Sequence, residues 1–250
     1  YGDITMTIWI RNIEIDKGVP KICIPFMPET FHDIEKEWNT IKDYDFDILE
    51  WRMDSYKENH IEAIQKIRKL VDKPLLSTLR TSFEGGQMDV TFTQYLTINK
   101  DVMDSGCTDL IDVEAFLDED TIKKLVDYAH SRNIYVIGSN HDFNKTPDYD
   151  EIRNRFHSMK EKQVDFVKAA YMPTCKEDVL NVLLATYDFK RKNDMPIISM
   201  AMSDKGMISR VIGELTGSCI TFGCIGKASA PGQIECNDLK AMLRIVHDSM

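Results

Sequence analysis

The chain has 250 residues, of which 43% are hydrophobic and 29% charged, with a formal net charge of −10. That length buries a substantial core, the composition is that of a soluble globular protein, and the acidic balance argues against nucleic acid and anionic membrane as partners. No window approaches the roughly 18 apolar residues of a membrane-spanning helix, and the Tyr1–Met6 stretch lacks a signal-peptide layout, so a cytoplasmic protein is expected.

In chain order, Thr5–Ile15 alternates like a strand and leads into a turn region at Gly18. Strand-like apolar runs then alternate with amphipathic stretches of helical spacing. Strand Lys21–Phe26 precedes helix His32–Asp43, strand Phe46–Asp54 precedes helix Glu58–Val71, and strand Pro74–Arg80 precedes helix Thr93–Ser105. Strand Leu110–Phe116 leads to helix Glu119–Arg132, strand Tyr135–His141 to helix Tyr149–Lys162, and strand Asp165–Met172 to helix Lys176–Asn193. Strand Pro196–Ser203 with helix Lys205–Gly217, and strand Cys219–Gly226 with helix Cys236–Ser249, complete the series. Acidic or capping residues start several helices, as in Asp118–Thr121 and Asp148–Glu151.

Eight βα units in about 250 residues match the size of a (β/α)₈ barrel. A doubly wound sheet usually has a Gly-rich phosphate turn after its first strand, and here Met27-Pro-Glu-Thr30 follows instead. The expected architecture is therefore α/β: a single TIM-barrel domain over residues 1–250, with an N-terminal β-hairpin covering the barrel bottom. The outer helices offer no decisive apolar stripe.

Side chains along a strand alternate with period two. In the second strand Leu49, Trp51 and Met53 face one way, and Glu50, Arg52 and Asp54 the other. In the fourth, Ile111 and Val113 oppose Asp112 and Glu114. The outer face of a barrel strand packs on helices and is apolar, so these charges look inward. The third strand ends in Arg80, the fifth in His141, and the sixth carries Lys168 in an otherwise apolar run. Ionisable groups on five consecutive strands, near the end where active sites of this fold lie, outweigh the alternative of a charged structural plug, because structural buried ions tend to cost stability.

A buried lysine is usually paired, deprotonated or functional, and a lysine is the standard nucleophile for making an imine with a carbonyl. His141 is the one histidine at a strand terminus and can take and give a proton. His32, His60, His130, His157 and His247 sit in helical stretches and read as structural. Arg52, Arg80 and Arg210 can hold carboxylate or hydroxyl oxygens. Glu84 lies in a loop whose Gly85-Gly86 pair gives it freedom to reach the site. Ser229 and Gln233, in the small-residue loop Gly226–Gln233, can donate to a substrate carboxylate from a lid. The six cysteines form no C-x-x-C pair, and the histidines show no metal-ligand spacing, so no zinc or other metal is expected.

These residues bring out a resemblance to type I 3-dehydroquinate dehydratases, enzymes of the shikimate pathway. It runs from about Pro20 to Leu243, through Asp47–Asp54, Pro74–Arg80 with Glu84-Gly-Gly86, Ser139–Pro147, Met207–Arg210 and Ser229–Gln233. The resemblance implies cofactor-free and metal-free dehydration of 3-dehydroquinate to 3-dehydroshikimate. Lys168 would form the imine, His141 would act as general base and then acid, and Glu84 would stand beside the histidine. Arg210 would grip the substrate carboxylate with Ser229 and Gln233, Glu50, Arg52 and Arg80 would contact hydroxyls and order the lysine, and Asp112 and Glu114 would lie behind them. It also implies a homodimer.

Two departures stand out. Pro25 replaces a serine that some members carry at the end of the first strand, and Val167-Lys168-Ala169-Ala170 stands where many read Pro-Lys-Ile-Ala. Neither touches a reacting group. The rival is another imine-forming barrel lyase or aldolase, acting on a phosphorylated sugar. Which of Glu50 and Glu114 lies nearer Lys168 is left open by the sequence.

Overall fold

The computed structural model describes residues 8–226 and 228–250. Residues 5–7 of the expected first strand and Lys227 of the expected lid loop lie outside them. Strands β1 (Trp9–Ile10) and β2 (Ile13–Glu14) form an antiparallel hairpin. Eight parallel strands follow: β3 (Lys21–Phe26), β4 (Ile48–Arg52), β5 (Leu75–Thr78), β6 (Leu110–Glu114), β7 (Tyr135–Asp142), β8 (Phe166–Tyr171), β9 (Ile197–Ala201) and β10 (Ile220–Phe222). Neighbours run from β10 through β3 to β9 in chain order. A bridge between Ile197 and Ser218 brings β9 to β10 and closes the barrel.

The period-two pattern sorts the strand side chains into two apolar layers. Leu49, Trp51, Ile111, Val113, Val167 and Ala169 pack outward among the helices. Ile48, Leu76, Leu110, Ile137, Phe166 and Ile198 fill the interior, with Ile10 and Ile15 from the hairpin. The hairpin therefore stoppers the N-terminal end of the barrel. Arg11 ties it there, with Nε 2.8 Å from Asp109 Oδ2.

The helices are α1 (Phe31–Ile41), α2 (His60–Leu70), α3 (Phe92–Asp104), α4 (Glu119–Ser131), α5 (Tyr149–Glu161), α6 (Lys176–Lys192), the short α7 (Ser203–Gly206) and α8 (Gly213–Thr216), and α9 (Cys236–Asp248). Asp118 and Asp148 cap α4 and α5, accepting from the Thr121 and Glu151 amides at 2.9 Å each. Each such cap is worth about 1 kcal/mol. Among the described residues, no helix is long and apolar enough to cross a membrane.

The helix expected over Lys205–Gly217 is broken. It becomes α7, a 3₁₀ turn over Met207–Arg210, and α8. Ser209 causes the fold-back: its hydroxyl donates to Gly206 O at 2.6 Å and accepts from the Ala201 amide at 2.9 Å. A Cβ on Gly206 would sit 2.3 Å from Ala201 O, so only glycine permits this approach. The break turns Arg210 into the barrel mouth. The expectation about the outer helices also needs correcting. Leu180, Leu184 and Tyr187, at helical spacing on α6, are 62%, 52% and 46% exposed.

Candidate active site

The C-terminal ends of the strands enclose one cleft. Glu50, Arg52, Arg80, Glu84, His141, Lys168, Arg210, Ser229 and Gln233 all line it. Asp112 and Glu114 do not reach it. They lie beneath, fully buried, and hold the residues that do.

Lys168 leaves β8 toward the interior, beside Ser139 of β7 in the strand register. Its Nζ lies 2.9 Å from Asp112 Oδ2, 3.8 Å from Glu50 Oε1 and 4.5 Å from the centre of the Phe222 ring. The nearest carboxylate is thus Asp112, and neither Glu50 nor Glu114. Lys168 is thus paired with a buried carboxylate. Asp112 also accepts from Arg80 Nη2 at 2.7 Å and from the Ser139 hydroxyl. Burial opposes its ionisation, but Arg80 and Lys168 overcome this and hold its carboxyl well below the usual range.

Arg80 follows β5 and spreads its fork over three acids. Nη1 is 3.2 Å from Glu114 Oε1 and 3.5 Å from Glu84 Oε2, while Nη2 takes Asp112. Glu114 is itself bound by the Thr81 amide and hydroxyl, each at 2.7 Å. That clamp fixes the start of the loop carrying Glu84. The two glycines beyond it supply close approach rather than freedom. A Cβ on Gly85 would lie 2.2 Å from the Phe143 ring, and one on Gly86 would lie 2.0 Å from Arg80 O. Gly85 also has φ +83°, a left-handed conformation.

Glu84 Oε2 faces His141 twice, accepting from its backbone N–H at 3.0 Å and meeting Nδ1 at 2.8 Å. Burial raises the Glu84 carboxyl, to about 8. Burial, together with Arg80 and Lys168, holds His141 well below the usual histidine range. Both shifts disfavour charge on the pair. Three donors already aim at the carboxylate: the His141 amide, Asn140 Nδ2 and Arg80 Nη1. An ionised Glu84 so held orients an Nδ1–H of the imidazole toward Oε2. Nε2 has no protein partner among the described residues.

Arg210 is 1% exposed. It donates to Phe222 O at 3.2 Å and Pro231 O at 3.1 Å, its Nε has no hydrogen-bond partner, and no carboxylate pairs with it among the described residues. Burial alone lowers its guanidinium to about 10. Arg52, by contrast, has a carboxylate partner: it grips Asp54 through two bonds of 2.8 Å. Asp54 in turn accepts from the Gln87 amide, tethering the Glu84 loop from its far end. Ser229 and Gln233 bond each other, with Gln233 Nε2 donating to Ser229 Oγ at 3.0 Å.

Several lining residues escaped the sequence reading. Thr78 donates to Glu50 Oε1 at 2.9 Å, and its inward position two residues before Arg80 was a usable signal. Phe143, Met200, Met202 and Phe222 supply apolar wall and look like any core residue in sequence. Among the described residues, no three of His, Cys, Asp and Glu are grouped as metal ligands.

A family model described as Type I 3-dehydroquinase matches residues 22–250. A 3-dehydroquinate dehydratase from Salmonella agona is 45% identical, over 97% of this chain and 99% of that protein. The crystal structure of the type I 3-dehydroquinate dehydratase of Clostridium difficile, with a covalent modified comenic acid, matches with TM-score 0.93 at 42% identity, covering 98% of this chain and 99% of that one. The Geobacillus kaustophilus 3-dehydroquinate dehydratase structure matches with TM-score 0.93 at 30% identity, over 97% and 96% of the two chains. A 3-hexulose-6-phosphate synthase, at 16% identity and TM-score 0.59, shares the barrel fold alone. By its full-length similarity, this chain belongs to the type I 3-dehydroquinase family.

Proposed function

We propose that this hydro-lyase removes water from 3-dehydroquinate by syn elimination, giving 3-dehydroshikimate, through an imine on Lys168. The observation that carries the reading is the content of one cleft: a buried lysine, a histidine whose Nε2 has no protein partner among the described residues, and a buried arginine with no carboxylate partner among them.

The substrate carboxylate takes the open donors of Arg210, an interaction strengthened by burial. Ser229 and Gln233 close over it, and Glu50, Arg52 and Arg80 meet the hydroxyls. Lys168 attacks the C3 ketone, and the two protons its ammonium gives up pass through His141 to the carbonyl oxygen. Loss of the carbonyl oxygen as water leaves an iminium. That cation withdraws electrons from C2, and His141 Nε2 takes the C2 proton. The electron pair moves to form an enamine and then expels the C1 hydroxyl, which leaves as water with the proton His141 carries. Water adds to the conjugated iminium, and its hydrolysis returns Lys168 as a free amine. Glu84 stabilises the imidazolium while the proton is held.

Pro25 and the Val167 and Ala169 neighbours of Lys168 leave these groups untouched. Val167 and Ala169 pack outward, away from the cleft. The reading includes a cytoplasmic homodimer, supported by the exposed Leu180, Leu184 and Tyr187 on α6. Light scattering should return twice the chain mass.

Incubation with 3-dehydroquinate should produce the absorbance of a conjugated enone. An unchanged spectrum, with cleavage of a sugar phosphate instead, would move the protein to the aldolases.

A further inference from the structure

Asn140 precedes His141, so its side chain leaves β7 on the opposite face. There it is buried and meets α5 and β8. Its amide oxygen accepts from Arg155 Nη1 at 2.9 Å and from the Tyr171 hydroxyl at 3.0 Å. A guanidinium can only donate. The oxygen must therefore face Arg155, and the amide nitrogen must face the other way. That nitrogen donates to Glu84 Oε1 at 3.2 Å. Glu84 is thus held at both oxygens, Oε2 by the histidine it serves and Oε1 by the amide.

We infer that Asn140, its amide locked by Arg155 and Tyr171, is a positioning residue that aims the Glu84 carboxylate at His141 Nδ1. The inference rests on the proposed role of His141 as the base. Three other charged groups face Glu84: Arg80 favours its ionised form, while Asp112 and Glu114 oppose it, and burial opposes it most. Asn140 adds to Arg80 on the favourable side. Arg155 reaches Asn140 from α5, outside the barrel, and its other bond goes to Glu151 at 2.8 Å. The alignment of the catalytic pair is therefore set partly by a helix that lines no part of the cleft.

Asn140→Asp keeps the shape and replaces the donor with a carboxylate oxygen. It should lower kcat about tenfold or more at neutral pH, leave KM unchanged, and move the acid limb of the pH profile up by about one unit. Arg155→Leu should act in the same direction with a smaller effect, and Arg155→Lys, which keeps a donor, should restore the wild-type limb. A purely structural role would change the melting temperature of these variants and leave the limb in place. Nitrogen NMR of His141 in the ligand-free protein gives a readout independent of turnover. The wild type should show the neutral ring protonated on Nδ1, and Asn140→Asp should displace that titration. Unchanged kcat, acid limb and His141 titration in folded Asn140→Asp and Arg155→Leu proteins would overturn the inference. A wild type inactive on 3-dehydroquinate whose His141 titration still responds to Asn140→Asp would instead count against the proposed reaction and leave the positioning role standing.

Discussion

Lys168 and Asp112 meet at the floor of the cleft, Nζ to Oδ2, at 2.9 Å. Asp112 is completely buried and takes Arg80 on its other oxygen, so one carboxylate serves both basic side chains inside the barrel. Removing that carboxylate would leave two buried cations facing each other.

Asp112→Asn should therefore destabilise the protein by about 3 kcal/mol, the order found when one partner of a buried pair is lost. Its carboxyl lies below the usual range in the folded protein. The stabilisation it gives is thus complete above the unfolded value of about 3.9 and is lost as pH falls through the lower folded value. Urea unfolding should show a constant gap between wild type and variant from about pH 5 to 8, narrowing below about pH 4. A gap that widens on acidification would contradict this assignment.

Glu84 behaves in the opposite sense. Its folded carboxyl is raised to about 8. The folded state holds that proton more tightly, so its contribution favours folding at low pH and fades between the unfolded value of about 4.3 and the folded one. Glu84→Gln should gain stability relative to wild type as pH rises through that window, while losing most of its turnover. Melting temperatures at pH 5 and pH 8 measure the first effect. In the wild type, the acid limb of kcat should fall well above the ordinary carboxylate range, because activity needs Glu84 ionised beside His141 Nδ1.

Arg210→Met separates binding from stability. The arginine is buried with no carboxylate partner among the described residues, so removing its uncompensated charge should offset the loss of its bonds to the Phe222 and Pro231 carbonyls. Hydrogen bonds to a charged group are worth about 1.5–3 kcal/mol. KM for 3-dehydroquinate should accordingly rise by about 10- to 100-fold, with an unchanged or higher melting temperature. An unchanged KM would remove the carboxylate-binding role.

Much of the site could be read from alternation. Glu50, Asp112 and Lys168 lie on interior faces because their neighbours Leu49, Ile111 and Val167 are claimed by the helices. What alternation cannot give is the pairing across strands. The register sets Lys168 level with Ser139 and Glu114, yet the lysine bonds Asp112, two residues earlier on β6, a pairing no single strand encodes. Asn140 was hidden for a related reason: it faces outward, and only the return of the Glu84 loop over the strand ends brings the two together. The segment after β9 misled because its apolar spacing suits one helix, whereas the Ser209 hydroxyl and the close approach of Gly206 to Ala201 break it into three pieces. The α6 stripe was missed because Leu180, Leu184 and Tyr187 are also what a helix buries against a barrel. Exposure separates the two cases, and exposure is a property of the fold.

The central claim is that Lys168 becomes covalently bound to the substrate carbon during turnover. Borohydride reduction in the presence of 3-dehydroquinate, followed by intact-mass analysis and peptide mapping, tests it most directly. The account predicts one stable adduct per chain, located on Lys168, absent from Lys168→Ala and formed slowly in His141→Ala. Turnover with no trapped adduct, or an adduct mapped to another lysine, would contradict it.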